Sequence, residues 1–190
     1  METRRWPVSA KEEGPRPPLM KAENKNGRRS VLVVDDEPKI VENISEFLRG
    51  QGYRVFSANG GEDAYSVYVR EHPRIVLTDV KMPGMNGLDL LRRIKAEDGE
   101  SIEVIMFSGQ MDIEDTIESL RYGAGGYIKK PISLRELVPV LDKSVEKLRV
   151  TDEGKEIVKA LETMVVERDS RIKGTQEFMQ SIIDAVAEPV

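Results

Sequence analysis

The sequence predicts an α/β protein: a doubly wound, five-stranded parallel sheet with a C-terminal helical extension. Two observations lead there. Between Ser30 and Leu148, short apolar runs alternate five times with amphipathic stretches of helical period. Each stretch is also long enough to carry the chain back for a parallel neighbour, and strands covered on both faces read as near-continuous Val/Ile/Leu runs.

The elements follow in order. "SVLVV" (30–34) is the first strand, followed by "PKIVENISEFLRGQG". Pro38 suits the first helical turn, where a missing N–H costs nothing. Ile40, Val41, Ile44, Phe47 and Leu48 recur at helical spacing, and Gly50 and Gly52 end the run. "YRVFSA" (53–58) leads into "GEDAYSVYVREH", and "RIVLT" (74–78) into "NGLDLLRRIKAE". There Asn86 reads as an N-cap and Asp89 as a first-turn acid favoured by the helix dipole. "IEVIMFS" (102–108) precedes "DIEDTIESLRYG". "GYIKK" (126–130) precedes "SLRELVPVLDKSVEKL", opened by a capping box of Ser133 and Glu136 and interrupted by Pro139, which predicts a kink or local irregularity.

The flanks differ in character. Residues 1–29 are rich in Pro, Lys, Glu and Arg and are expected to be disordered; they hold eight Lys/Arg against four Asp/Glu, so the rest of the chain is acidic. An acidic body is a poor nucleic-acid binder. "TDEG" (151–154) is expected to interrupt the last helix. From Lys155, Val158, Val165, Ile172, Met179 and Val186 repeat every seven residues, with Leu161 and Ile182 on the second stripe and Arg168 and Thr175 weakening it. A dimerising coiled coil is the expected state, against a single helix packed on the domain. The domain reading is therefore 1–29, 30–149 and 150–190.

Composition narrows function. With no cysteine, disulfides and thiolate metal sites are excluded. No apolar run reaches the roughly 20 residues of a membrane span. No secretory leader follows Met1, so a cytoplasmic location is expected.

The chemistry lies where the strands end. Asp35 and Asp36 close the first strand, Asp79 the third, Ser108 the fourth, and Lys130 the fifth, directly before Pro131. In an open parallel sheet these ends share one rim. Clustered carboxylates need a cation to stay ionised. Hard oxygen donors without His or Cys favour Mg²⁺ over zinc. Mg²⁺ with a lysine on the same rim suits a phosphoryl group, and a carboxylate free to attack phosphorus forms an acyl phosphate. Behind Asp79, Pro83 stiffens the loop, Gly84 and Gly87 permit tight geometry, and Met82 and Met85 anchor it; Asp79 itself is expected to face solvent.

"VLVVDDEP", "VLTDVKMPGMNGL", "IMFSG" and "GYIKKPI" resemble, in this order, the receiver domains of two-component response regulators, over residues 30–149. The resemblance implies a flavodoxin-like receiver with Asp79 as phosphoacceptor. It implies Mg²⁺ held by Asp35, Asp36, Asp79 and the backbone carbonyl of Lys81. Ser108 takes the place of the switch hydroxyl, Tyr127 of the switch aromatic, and Lys130 of the phosphoryl-pairing lysine, whose bond to Pro131 is usually cis in this family. Lys81 and Gln110 lie where side chains modulate hydrolysis. The implied partner is a histidine kinase or a histidine phosphotransfer protein, and phosphorylation would switch the surface of the fourth helix and fifth strand. Gly109 and the pair Gly125-Gly126 depart from the usual pattern.

Other readings of these residues stay open. Asp35-Asp36 alone could cap a helix, and Tyr127 could be packing. His72, the sole histidine, reads as a surface turn residue before Pro73. A haloacid-dehalogenase-type phosphohydrolase would need its nucleophile in a D-x-D pattern on the first strand, whereas this strand ends "DDEP". A coiled-coil scaffold with an inert receiver is a third class. The ending "FMQSIIDAVAEPV" resembles the entry helix of PAS sensory domains, so a longer regulator or hybrid sensor kinase is expected. A homodimer through residues 155–188 is the expected assembly.

Overall fold

The computed structural model describes residues 29–109, 113–131 and 133–187; the 1–28 segment of the tail, with Gln110 and Ile132, lies outside them. In chain order the elements are β1 (Ser30–Val34), α1 (Pro38–Gly50), β2 (Arg54–Ala58), α2 (Gly61–Glu71), β3 (Ile75–Asp79), α3 (Gly87–Asp98), a 3₁₀ turn (Gly99–Ser101), β4 (Glu103–Ser108), α4 (Ile113–Arg121), β5 (Gly126–Lys129) and α5 (Leu134–Ala187). All strand pairings are parallel, in the order β2-β1-β3-β4-β5. This is the doubly wound architecture the sequence predicts, with the reversal of strand order between β1 and β3.

Alternation along the strands divides the core in two. Val31, Val33, Ile75, Leu77, Ile105 and Phe107 pack against Val41, Ile44 and Leu48 of α1 and Leu137, Leu141 and Leu148 of α5. Leu32, Val34, Val76, Val104 and Met106 face α2 and α3. The central strands β1, β3 and β4 are thus buried on both faces, the edge strands β2 and β5 only in part, and polar groups collect at the strand ends.

Local signals behave as chemistry dictates. The Asn86 side chain accepts the Asp89 N–H at 2.9 Å, capping α3. Gly52, after α1, has φ +83°, open to glycine without strain. The Ser133 carbonyl accepts the N–H groups of Glu136 and Leu137 as α5 begins. His72 ends α2 with φ 47°, and it is half-buried rather than a free surface side chain.

The last helix also departs from expectation. "TDEG" does not interrupt the last helix, and α5 runs unbroken for 54 residues, about 80 Å at 1.5 Å per residue. The turn-forming residues are held helical by two partners one turn earlier and by one, Arg74, 78 residues away. Thr151 donates its hydroxyl to the Lys147 carbonyl at 3.1 Å. Asp152 accepts Arg74 at 2.8 Å, and Glu153 accepts Arg149 at 2.7 Å. Against these contacts, Gly154 costs only about 1 kcal/mol relative to alanine. Pro139 also lies within α5, which continues through it.

Among the described residues, no helix is long and apolar enough to cross a membrane.

Candidate functional site

The site is built at the carboxyl ends of β1, β3, β4 and β5. Asp35 follows β1 and is fully buried. Its Oδ1 accepts the Glu37 N–H at 2.8 Å, which leaves Oδ2 directed to Lys130 at 2.7 Å. Asp36 is exposed beside it. Asp79 is the last residue of β3, paired in register with Phe107. One oxygen from each of Asp35, Asp36 and Asp79 lies within 4.8 Å of the others. The structure thus brings the three acids together.

Lys130 leaves β5 and returns over the rim, its N–H donating to the Ser108 carbonyl at 2.8 Å. Its Nζ is 3.1 Å from Asp79 Oδ1 and 4.9 Å from the centre of the Phe107 ring. The Lys130–Pro131 peptide is cis. Burial works against the ammonium, but hydrogen bonds and charge attraction from Asp35 and Asp79 prevail, and its pKa is raised. It stays positive through the neutral range.

Asp79 corrects the expectation that it faces solvent, for it is only 6 % exposed. Burial raises its pKa foremost, Lys130 pulls the other way, and the nearby Asp35 adds to the rise. A carboxylate can sit this deep because an ammonium is already beside it.

Ser108, the last residue of β4, is buried, with its side chain at the same rim. Tyr127 pairs in register with Met106 and packs, half-buried, against the α2–α3 side of the core. Its hydroxyl is buried and has no hydrogen-bond partner among the described residues. Lys81 is exposed and lines an open cleft with Asp36, Met82, Pro83, Asn86 and Asp115.

The loop after β3 is tightly constrained. Val80 donates to Phe107 and Gly87 donates to Val80, at 3.1 and 3.0 Å. A Cβ on Gly87 would lie 1.9 Å from the Asp79 carbonyl oxygen, so only glycine lets α3 start against the strand end. Met82 is buried and Met85 packs half-buried against the core.

Sequence reasoning missed Glu62 and Gly61. Glu62 Oε1 accepts the Met85 N–H at 2.9 Å, and a Cβ on Gly61 would come within 2.1 Å of the Met85 carbonyl oxygen. The start of α2 therefore latches the loop that carries Lys81. Glu62 reads in sequence as an ordinary first-turn acid, and nothing in its spacing points to a loop 23 residues away.

The donor set fits Mg²⁺: three carboxylates within reach of one ion, no nitrogen or sulfur donor among them, and an open cleft beside Asp36.

The family model for the response regulator receiver domain matches residues 31–142. The chain belongs to this family. It is 34% identical over 143 residues to the probable transcriptional regulatory protein TcrX of Mycobacterium tuberculosis, covering 74% of this chain and 60% of that protein. It is 35% identical over 111 residues to the DNA-binding response regulator MtrA of Mycolicibacterium smegmatis, covering 58% of this chain and 48% of MtrA. The chain thus spans only about half to three-fifths of these curated relatives. A receiver-domain protein from Clostridium thermocellum superposes with TM-score 0.61 at 28% identity, over 64% of this chain and 98% of that one. A CheY-like receiver from Methanospirillum hungatei gives 0.62 at 27%, over 64% and 97%. Receiver membership sets aside the phosphohydrolase reading.

Proposed function

We propose that this receiver accepts a phosphoryl group on Asp79 from the phosphohistidine of a histidine kinase or phosphotransfer protein. The observation that carries the reading is the convergence of Asp35, Asp36 and Asp79, with Lys130 bridging two of them. An Asp79 oxygen attacks phosphorus in line, the P–N bond breaks, and the histidine nitrogen keeps the electron pair and takes a proton. Lys130 then moves its attraction from the bare carboxylate to the phosphoryl oxygens. Asp35, Asp36, Asp79 and the Lys81 carbonyl would hold Mg²⁺, which supplies charge neutralisation and a template for the phosphoryl oxygens when bound. The chemistry is limited to self-phosphorylation and slow self-dephosphorylation, without turnover of a substrate pool.

Ser108 donates to a phosphoryl oxygen in this reading, and Tyr127 follows it inward. Its hydroxyl is buried without a hydrogen-bond partner among the described residues, so no bond has to break when the ring moves. The α4–β5 surface and α5 carry the change onward, and a homodimer through residues 155–188 receives it, in a regulator or hybrid kinase of cytoplasmic location.

Acetyl phosphate with Mg²⁺ tests the assignment. The wild type gains about 80 Da, the mass of one phosphoryl group, and Asp79→Asn gains nothing. Equal labelling of both proteins refutes it.

A further inference from the structure

We infer that residues 150–187 pair with a second copy of this chain as a parallel, in-register coiled coil, with the two receivers carried on its outer sides. The inference deepens the homodimer reading above and is independent of phosphoryl acceptance.

The helix leaves the receiver in a fixed phase. Leu148 is fully buried against the sheet. Lys147 reaches the buried Glu103 at 2.7 Å, Arg74 reaches Asp152 at 2.8 Å, and Lys155 hydrogen-bonds Ser101. Because α5 is unbroken across these contacts, the apolar stripe beyond them has a defined direction relative to the domain.

That direction is away from the chain's own receiver. Leu137, Leu141, Ser144 and Leu148 define the face packed on the sheet. Advancing 100° per residue, the stripe of Ile157, Val158, Leu161, Met164, Val165 and Ile172 lies roughly a third of a turn around the axis from it. From Glu153 to Met179 every described side chain is exposed, and these six are 46–65% exposed. Val150, 57% exposed at the edge of the domain, continues the stripe back to the receiver. The receiver therefore cannot cover the stripe, and a second helix can approach it without meeting the receiver.

Charge selects the orientation. With Val158, Val165 and Ile172 at a, Arg168 falls at d and Asp169 at e. In a parallel in-register pair, a d side chain packs beside the e position of the other helix. Arg168 then meets Asp169 of the second copy, twice over. Reversing one helix so that Arg168 lies opposite Ile172 places Asp169 near its own copy and Arg171 near its own copy, both repulsive.

The chain has no cysteine, so single-cysteine variants report directly. Under mild oxidation of the full chain, Val158→Cys and Leu161→Cys should form covalent dimers at least tenfold faster than Thr163→Cys on the outer face. Equal rates at all three positions overturn the proposal. In sedimentation equilibrium, Asp169→Arg should weaken the dimer about tenfold, and Arg168→Glu with Asp169→Arg should restore it. A double variant as weak as the single overturns the register. Cross-linking of the cysteine variants in an Asp79→Asn background, without phosphoryl donor, should be unchanged, so a failure of Asp79 labelling is read separately.

Discussion

Lys130 Nζ stands 2.7 Å from Asp35 Oδ2 and 3.1 Å from Asp79 Oδ1, so one ammonium joins the ends of β1, β3 and β5. Asp35 is fully buried and Lys130 is only 17% exposed in its side chain, so solvent does little to screen the pair. Replacing the lysine leaves two buried carboxylates facing each other.

Lys130→Met should therefore cost about 3 kcal/mol at pH 7, the low end for breaking a buried charge pair. The loss should shrink as the pH falls and Asp79, whose pKa burial already raises, protonates. Mg²⁺ should restore part of it by supplying the missing positive charge. Urea denaturation at pH 7 and pH 5, with and without Mg²⁺, checks all three outcomes. Phosphoryl labelling should fall at least tenfold.

Asp79 has a pKa raised by burial, and this has two consequences of stated sign. As nucleophile it must be ionised, so labelling should fall away on acidification at a higher pH than for an ordinary carboxylate. In stability, the folded state holds the proton more tightly than the unfolded chain. Stability is then lost as pH rises from the ordinary carboxylate range through the folded pKa. Asp79→Asn should remove that loss. Thermal melts of both proteins across pH 3–7 (a window of about four units around the ordinary carboxylate values) measure it. In Mg²⁺ the wild-type labelling midpoint should move downward, because a bound cation favours the ionised form.

The fold was legible because the three central strands are short apolar runs and the connections carry helical period. The polar residues that break each run fall at the strand ends, so the rim could be read before its geometry was known. Depth was not legible. Asp79 stands in a hydrophilic-looking loop entry, yet Lys130 allows it to be buried. Helix continuity was hidden for a related reason. Asp152 reads as a helix breaker until Arg74, 78 residues away, is placed beside it. Local pattern carries periodicity, and long-range charge pairing overrides local propensity.

Glu62 provides a test of how the β3–α3 loop is held. Its carboxylate accepts the Met85 N–H, and glutamine retains that acceptor while alanine does not. Glu62→Ala should cost about 1 kcal/mol, the worth of one exposed-to-intermediate hydrogen bond. It should also weaken Mg²⁺ binding several-fold by loosening the loop that carries Lys81. Glu62→Gln should stay close to wild type in both. Calorimetric Mg²⁺ titration separates the variants, and protection of the Met85 amide from hydrogen exchange should fall in Glu62→Ala alone.

The opposite end of β4 supplies a prediction about the anchored helix. Glu103 is 1% exposed and is neutralised by Lys147 of α5 at 2.7 Å. A Cβ on Gly125 would lie 1.8 Å from Glu103 Oε2, so this glycine leaves room for the carboxylate rather than serving a turn of unusual φ. Gly125→Ala must displace Glu103 from its buried position and from Lys147. Overpacking of this kind costs about 1–3 kcal/mol. The penalty should fall when Glu103 is shortened, so Gly125→Ala with Glu103→Ala should lose less than the sum of the two single changes. A double-mutant cycle by chemical denaturation measures the coupling. Strict additivity would mean that Gly125 and Glu103 do not share this space.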